Sequence, residues 1–172
     1  MTRRRLMTLL GLIGFGAKSA TVGASQGATT SAPSSAGGTT AIVPLRLSDA
    51  EWKQRLNMAQ FRVLRNEGTE PAGSSPLNAE KRAGTYHCAG CDLPLFSSTT
   101  KYDSRTGWPS FHTALPGAVG TKTDFKLILP RTEYHCARCE GHQGHVFGDG
   151  PPPTGKRYCN NGVALRFAPV TA

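Results

Sequence analysis

Two Cys-x-x-Cys pairs constrain the fold of this 172-residue chain more than any other feature. They are Cys88-Ala-Gly-Cys91 and Cys136-Ala-Arg-Cys139, and each follows an aromatic residue and a histidine. On two separate hairpins they would supply the four thiolates that a tetrahedral Zn²⁺ prefers. We therefore predict one structural zinc per chain, with a closed coordination shell, that joins distant parts of the domain. Two disulfides or two redox dithiols are the alternatives.

The composition favours a turn-rich, mostly β domain. The chain has 20 glycines and 12 prolines, with few long periodic apolar runs, which is untypical of a helical bundle. Its length allows one domain with a substantial core. The formal net charge of +9 is only weak evidence for nucleic-acid binding, because the basic residues of the domain are scattered and form no stripe. We predict no nucleic-acid partner.

The amino-terminal residues are predicted to lie outside the fold. A basic cluster, Arg3 to Arg5, precedes about a dozen apolar or small residues, a pattern typical of a secretory signal and short for a membrane span. The paired arginines resemble a twin-arginine export signal. We assign residues 1–24 to an export signal, 25–41 to a flexible Ala/Ser/Thr/Gly linker and 42–172 to the folded domain. Export would place the domain in the periplasm. A short membrane-anchoring helix is the alternative, so membrane contact is expected only through an uncleaved leader.

The fifth cysteine, Cys159, stands alone in "RYCNNGVALRF". Read as one strand, this stretch places alternate residues on one face. These are Arg157, Cys159, Asn161, Val163, Leu165 and Phe167. An arginine two residues from the cysteine on that face would favour its thiolate. A buried, inert cysteine is the alternative reading.

Two further segments carry candidate functional side chains. "GHQGHVFGDG" contains His142 and His145 with Phe147, and "SRTGWPSF" holds Trp108 in a Gly-Trp-Pro turn. The histidines could be metal ligands, general acids or surface residues, and a lone tryptophan is often a core residue. Taken separately, neither segment decides between these readings.

Taken together, the ordered motifs resemble the B-type methionine-R-sulfoxide reductases. The resemblance runs from about Leu47 to Pro169 and includes both Cys-x-x-Cys pairs, "TKYDSRTGWPSF", "GHQGHVFGDGP" and "RYCNNGVALRF". It implies a mainly β fold of antiparallel coiled sheets, of the Mss4-like type, with short helices near its amino-terminal end. It also implies that Cys159 is the nucleophile and that Arg157 supports its thiolate. Trp108 would contact the sulfoxide methyl group, and the other pocket residues would be His142, His145, Phe147 and Asn161.

The chemistry of sulfoxide reduction fits these residue types. A thiolate must attack the polarised sulfur while the oxygen is protonated, and we expect His145, or else His142, to supply the proton. Many relatives carry a second redox cysteine where this chain has Thr106. The resemblance therefore implies a single-cysteine enzyme, whose Cys159 sulfenic acid needs an external thiol, thioredoxin-like or other.

The expected partners are R-methionine sulfoxide in peptides or proteins and that external thiol, and we expect a monomer. Relatives often have apolar residues where this chain has Gln143 and Asn160, and Asn160 is expected to face away from the pocket. A zinc-stabilised binding module and a Cys-x-x-Cys thiol oxidoreductase are the competing functions.

Overall fold

The computed structural model describes residues 41–171. The predicted export signal and all of the predicted linker except Ala41 lie outside these residues, so both assignments stay predictions. Within residues 41–171, no helix combines the length and the apolar character needed to cross a membrane.

Two short helices open the described part of the chain. The first, α1, spans Asp49–Arg55 and the second, α2, spans Met58–Leu64. Each begins with a capping box, in which the N-cap side chain accepts a backbone N–H while the third helical residue bonds back to the N-cap N–H. The predicted short helices near the amino-terminal end of the domain are thus confirmed. Trp52 of α1 and Leu64 of α2 are buried and anchor the helices to the sheets.

The rest of the described chain is mainly antiparallel β structure, as predicted. A three-stranded sheet has the order β2-β1-β9, and a six-stranded sheet has the order β3-β4-β8-β7-β6-β5. The strands are β1 (Gly84–Cys88), β2 (Pro94–Ser97), β3 (Lys101–Tyr102), β4 (Ser110–Phe111), β5 (Val119–Asp124), β6 (Arg131–Cys136), β7 (His142–Phe147), β8 (Arg157–Asn160) and β9 (Leu165–Pro169). Single 3-10 turns occupy Pro76–Asn78, Ser98–Thr100 and Gly162–Ala164.

Aromatic side chains fill the space between the two sheets. Phe96 of β2 stacks on Phe111 of β4 with ring centroids 4.2 Å apart, and Tyr86 of β1 meets Phe111 edge-on at 4.9 Å. Each such pair contributes about 0.5–1.5 kcal/mol beyond its buried area. The two sheets therefore share one core, on which the central strands β7 and β8 rest.

The carboxy-terminal stretch is two strands, so its interpretation as one strand was wrong. β8 ends at Asn160, and β9 begins at Leu165 in the other sheet. Between them the Glu70 carboxylate accepts the N–H groups of Gly162 and Val163, at 2.6 and 2.9 Å. A Cβ on Gly162 would lie only 1.9 Å from the hydroxyl of Ser75. The Glu70 carboxylate thus turns the chain, and no periodic sequence pattern indicates this contact. Only the residues near Cys159 lie on the strand face that was predicted.

Candidate active site and metal centre

The four paired cysteines form one buried cluster. Their Sγ atoms all lie within 4.8 Å of one another, with 3.6 Å between Cys88 and Cys139 and 3.4 Å between Cys91 and Cys136. These distances exceed a disulfide bond and leave the thiols free. They fit a tetrahedral site, in which Zn–S bonds of about 2.3 Å place neighbouring sulfurs about 3.8 Å apart. The donor set thus suits a metal ion with a closed shell.

The metal centre joins the two sheets. Cys88 ends β1 and Cys91 follows it in the turn to β2, whereas Cys136 ends β6 and Cys139 lies in the turn to β7. The predicted clustering of distant segments is therefore confirmed. Because all four cysteines belong to this cluster, Cys159 is the one cysteine of the chain outside it.

Cys159 opens into a small cavity on the six-stranded sheet. Its strand, β8, runs between β4 and β7, where Cys159 pairs in register with Ser110 and His145. The cavity has a volume of about 130 Å³. Its lining consists of Thr69, Trp108, Arg131, Gly144, His145, Phe147, Cys159 and Asn161. Five predicted site residues thus meet in one place, whereas His142 and Arg157 lie outside the lining.

The environment of Cys159 has opposing effects on its thiol. Burial raises its pKa, whereas the Thr106 hydroxyl, 4.0 Å from Sγ, and the Arg157 guanidinium lower it. Arg157 is itself bound by both carboxylate oxygens of Asp149 at 2.8 Å, and it stacks on the Phe147 ring at 4.3 Å. The Arg157 guanidinium therefore opposes the rise in the Cys159 pKa, but Asp149 shares its charge and burial outweighs its effect.

The histidine in the cavity is held by a carboxylate. His145 Nε2 lies 2.7 Å from Asp124 Oδ2, and Arg131 binds the same oxygen at 2.7 Å. Burial lowers the pKa of His145, although the bond to Asp124 opposes this shift. Asp124 is ionised, because the Lys126 backbone N–H, His145 and Arg131 lower its pKa. The carboxylate must therefore accept the Nε2 proton, which leaves His145 Nδ1 as the nitrogen able to take up and release a further proton.

The second histidine lies behind the cavity. His142 is 2% exposed, and its Nδ1 lies 2.7 Å from Glu133 Oε1. Its ring centroid is 5.4 Å from that of His145, and its Nε2 is buried without a hydrogen-bond partner among the described residues. Burial opposes ionisation of Glu133, but its bonds to His135 and His142 lower its pKa to about 2. Glu133 therefore fixes the ring of His142 through Nδ1–H.

Hydrogen bonds of the Trp108 indole and the Asn161 side-chain amide fix the cavity walls. The Trp108 indole donates to the Glu70 carbonyl at 3.2 Å. Asn161 donates to the Gln143 carbonyl at 3.0 Å and accepts the Glu70 N–H at 3.0 Å. Asn160 is fully buried and accepts a bond from the Tyr134 hydroxyl at 2.6 Å, on the side away from the cavity, as expected.

Five polar residues of this site were missed by sequence analysis. They are Thr69, Glu70, Asp124, Arg131 and Glu133. The sequence "RTEYHC" could have indicated two of them, because Arg131, Glu133 and His135 stand at alternate positions. This pattern is typical of a strand with one face of hydrogen-bonding side chains. The position of Glu70 had no local signal, because its partners at residues 162 and 163 are far away in sequence.

The fold and the site together define a class of β protein in which four clustered cysteines, placed to hold a metal ion, join the two sheets and a separate pocket holds a single partly buried thiol. Residues 56–169 match the family described as "SelR domain". The chain is 52% identical over 120 residues to a peptide methionine sulfoxide reductase MsrB of Pseudomonas putida strain W619, an alignment that covers 69% of this chain and 90% of the relative. It is 50% identical over 124 residues to the MsrB of Agrobacterium fabrum, covering 72% of this chain and 92% of the relative. The chain belongs to the MsrB family, as the resemblance indicated.

Two further matches each cover less than two thirds of one of the two chains compared. The chloroplastic peptide methionine sulfoxide reductase B1 of Oryza sativa subsp. japonica is 49% identical over 122 residues, which are 70% of this chain and 57% of the relative. A solved "Yippee-like" domain of Mis18 aligns with a TM-score of 0.42 and 16% identity, over 53% of this chain and 100% of that chain.

Proposed function

We propose that the protein reduces the R epimer of methionine sulfoxide, in peptides or proteins, to methionine, as a peptide-methionine (R)-S-oxide reductase with Cys159 as nucleophile. The observation that most supports this proposal is that Cys159, the one cysteine outside the four-cysteine cluster, lines a cavity together with Trp108, Phe147 and His145. Two of its relatives are named peptide methionine sulfoxide reductase MsrB, a name that supports reduction of methionine sulfoxide.

The first step is a thiolate attack on sulfur. The Cys159 thiolate attacks the sulfoxide sulfur while a proton is delivered to the oxygen. The S–O bond breaks and the hydroxyl ends on the Cys159 sulfur as a sulfenic acid. The methionine sulfur gains two electrons and the Cys159 sulfur loses two, so that the step needs no further cofactor.

His145 is our choice of proton donor. It lines the cavity with Cys159 and is its register partner on the adjacent strand. Asp124 holds its Nε2–H and so favours a proton on Nδ1 during the reaction. His142 serves as a positioning residue behind it, with Glu133 orienting its ring. The reverse assignment, with His142 as the donor, is the alternative.

Trp108 accounts for the proposed choice of epimer. A sulfoxide sulfur carries a methyl group, a side chain, an oxygen and a lone pair. If the methyl group lies on the Trp108 indole and the oxygen at the histidine, exchange of two substituents turns the oxygen away from its donor. The Trp108 indole donates to the Glu70 backbone carbonyl, and the Glu70 backbone N–H donates to the Asn161 side chain, so that both bonds keep this wall fixed.

The second half of the cycle needs another molecule. One external thiol, thioredoxin-like or other, condenses with the sulfenic acid to give a mixed disulfide and water. A second thiol then releases the Cys159 thiol and forms the external disulfide. Thr106 lies where an internal thiol could have done this and cannot form a disulfide.

The remaining assignments complete the proposal. We propose that the four-cysteine centre holds one Zn²⁺ that stabilises the fold and takes no part in the reaction, because four thiolates leave no open coordination position. We further propose a monomer that is exported to the periplasm by a twin-arginine signal. Metal analysis, sedimentation and fractionation of the full chain test these three assignments in turn.

A turnover assay on separated epimers tests the function. The wild-type protein, with dithiothreitol as reductant, should reduce an R-sulfoxide peptide and leave the S epimer unchanged. Cys159→Ser should abolish turnover while it keeps about one zinc per chain, which shows that its fold is intact. Equal turnover of both epimers would refute the specificity. A folded zinc protein without turnover would indicate a binding module, and a zinc-free protein with a reducible Cys-x-x-Cys pair would indicate a thiol oxidoreductase.

Two glutamine variants distinguish the histidines. His145→Gln should lower kcat by about 10²–10⁴, the usual contribution of a general acid, and should remove one limb of the pH profile. His142→Gln should lower kcat less and keep both limbs. A reversed order of the two losses would assign the proton transfer to His142.

A further inference from the structure

A cluster of exposed apolar side chains stands at the tip of the β5–β6 hairpin. We call residues 125–130, between Asp124 and Arg131, the apolar loop. Phe125 is 74% exposed, Leu127 57%, Ile128 101% and Leu129 76%. Clusters of neighbouring exposed apolar side chains are typical of interaction surfaces.

The apolar loop is continuous with the catalytic cavity. Its two flanking residues, Asp124 and Arg131, pair in register at the end of the hairpin. Arg131 lines the cavity, and Asp124 binds the cavity histidine His145 at 2.7 Å. A polypeptide with one side chain in the cavity therefore has this loop within reach of its neighbouring residues.

The charges around the loop favour an uncharged apolar partner. Lys122 and Lys126 both bind the Glu67 carboxylate at 2.5 Å, and Arg131 binds Asp124. Each of these three basic side chains is thus in an ion pair, with the two lysines sharing one carboxylate. An anionic lipid surface would have to compete with these ion pairs, whereas apolar side chains would not.

We propose that the apolar loop binds apolar residues next to a methionine sulfoxide in an unfolded polypeptide substrate. Methionine sits mostly among apolar neighbours in protein cores, and its oxidation makes it polar and disrupts that packing. The damaged segment then presents the sulfoxide together with exposed apolar side chains. The cavity would bind the sulfoxide, and the apolar loop would bind the apolar side chains. This inference rests on the proposed function, because it assumes that the cavity binds the sulfoxide.

A loop variant with three serine substitutions tests the proposal. The variant is Phe125→Ser, Ile128→Ser, Leu129→Ser, and the matched control is Met58→Ser, which changes a 91% exposed side chain on α2. The substrates are N-acetyl-methionine-R-sulfoxide, an R-sulfoxide peptide with leucine and valine neighbours, and the same peptide with glycine and serine neighbours.

The expected result is selective. The loop variant should raise KM for the apolar peptide about tenfold, which is equivalent to about 1.4 kcal/mol, with kcat unchanged. The glycine-serine peptide and the N-acetyl compound should keep the wild-type kcat/KM, and Met58→Ser should behave as wild type with all three. An unchanged KM for the apolar peptide, or an equal loss with every substrate, would overturn the proposal.

Two additional measurements distinguish peptide binding by the loop from lipid binding and from failure of the proposed function. Sedimentation with vesicles of phosphatidylglycerol and phosphatidylcholine tests a membrane surface, and loop-dependent vesicle binding without a change of KM would assign the loop to lipid instead. Fluorescence polarisation of the labelled apolar peptide measures docking without turnover. If the wild type reduces none of the three R-sulfoxide substrates, the proposed function fails, and the polarisation assay still decides whether the loop binds the peptide.

Discussion

Gly144 lies on β7 where its backbone approaches the strand that carries the nucleophile. A Cβ at this position would lie 2.0 Å from the carbonyl oxygen of Cys159 and 3.1 Å from its carbonyl carbon. Non-bonded atoms prefer separations of about 3.5 Å, so Gly144→Ala has to push the Cys159 carbonyl away by about 1.5 Å. The obstacle is backbone, which cannot rotate out of the way as a side chain can.

The displacement would act on the reacting groups themselves. Gly144 pairs with Asn160, and the next pair in the ladder is His145 with Cys159. We expect Gly144→Ala to lose about 1–3 kcal/mol of unfolding free energy, the usual cost of overpacking. Because a misplacement of about 1 Å can cost about 10²-fold in rate, we expect kcat to fall at least that far.

Gly148→Ala provides a matched control four residues along the chain. Gly148 is exposed and a Cβ there would meet nothing within 4 Å. Its unfolding free energy should stay within about 0.5 kcal/mol of the wild type, and its turnover should be unchanged. Urea unfolding and dithiothreitol-driven turnover of the R epimer measure both quantities. Wild-type stability and kcat in Gly144→Ala would refute the close-approach argument.

Three further changes test the metal, the charge and the redox cycle. Cys136→Ser should lose zinc and unfold, since structural zinc provides about 10–16 kcal/mol in zinc-finger peptides; a folded, zinc-free variant by metal analysis and circular dichroism would contradict this. Asp149 raises the pKa of Cys159, so Asp149→Asn should move the alkaline rise of activity to lower pH, and an unmoved or upward-shifted pH profile would count against the Asp149–Arg157 arrangement. Thr106→Cys should allow the sulfenic acid to form a disulfide and water, because the Thr106 hydroxyl already lies 4.0 Å from the Cys159 sulfur. Mass spectrometry after one oxidised turnover should show loss of two hydrogens in that variant and gain of one oxygen in the wild type.

The sequence predicted the groups that perform chemistry better than the groups that hold them. Cysteine spacing was enough to predict the metal cluster, because four buried thiols close together have few other uses. The cavity residues Trp108, His145 and Phe147 followed from motifs that resemble a family. The carboxylates that hold the histidines, Asp124 and Glu133, were not predicted, since their role depends on strand register between β5, β6 and β7.

The single-strand interpretation of residues 157–167 failed for a related reason. The alternate residues Val163, Leu165 and Phe167 are apolar and continue the face that carries Cys159, so the local pattern favours one strand. The turn depends on Glu70, which is distant in sequence and accepts two backbone N–H groups. Long-range polar anchors of this kind have no period, and only the tertiary structure identifies them.

Gln143 and Asn160, the two positions where the family resemblance implies apolar residues, are connected to each other. Gln143 and Asn160 are both 0% exposed, and Asn160 Nδ2 donates to the side-chain oxygen Oε1 of Gln143 at 3.5 Å. Asn160 also accepts the Tyr134 hydroxyl, and the Gln143 amide reaches Cys88 Sγ at 3.4 Å. A buried amide with unsatisfied groups would cost about 1–3 kcal/mol, and here the Asn160 and Gln143 side-chain N–H groups also donate to the backbone carbonyls of Asn161 and Gly141. The two amides therefore connect a thiol of the four-cysteine cluster to the strand that carries Cys159.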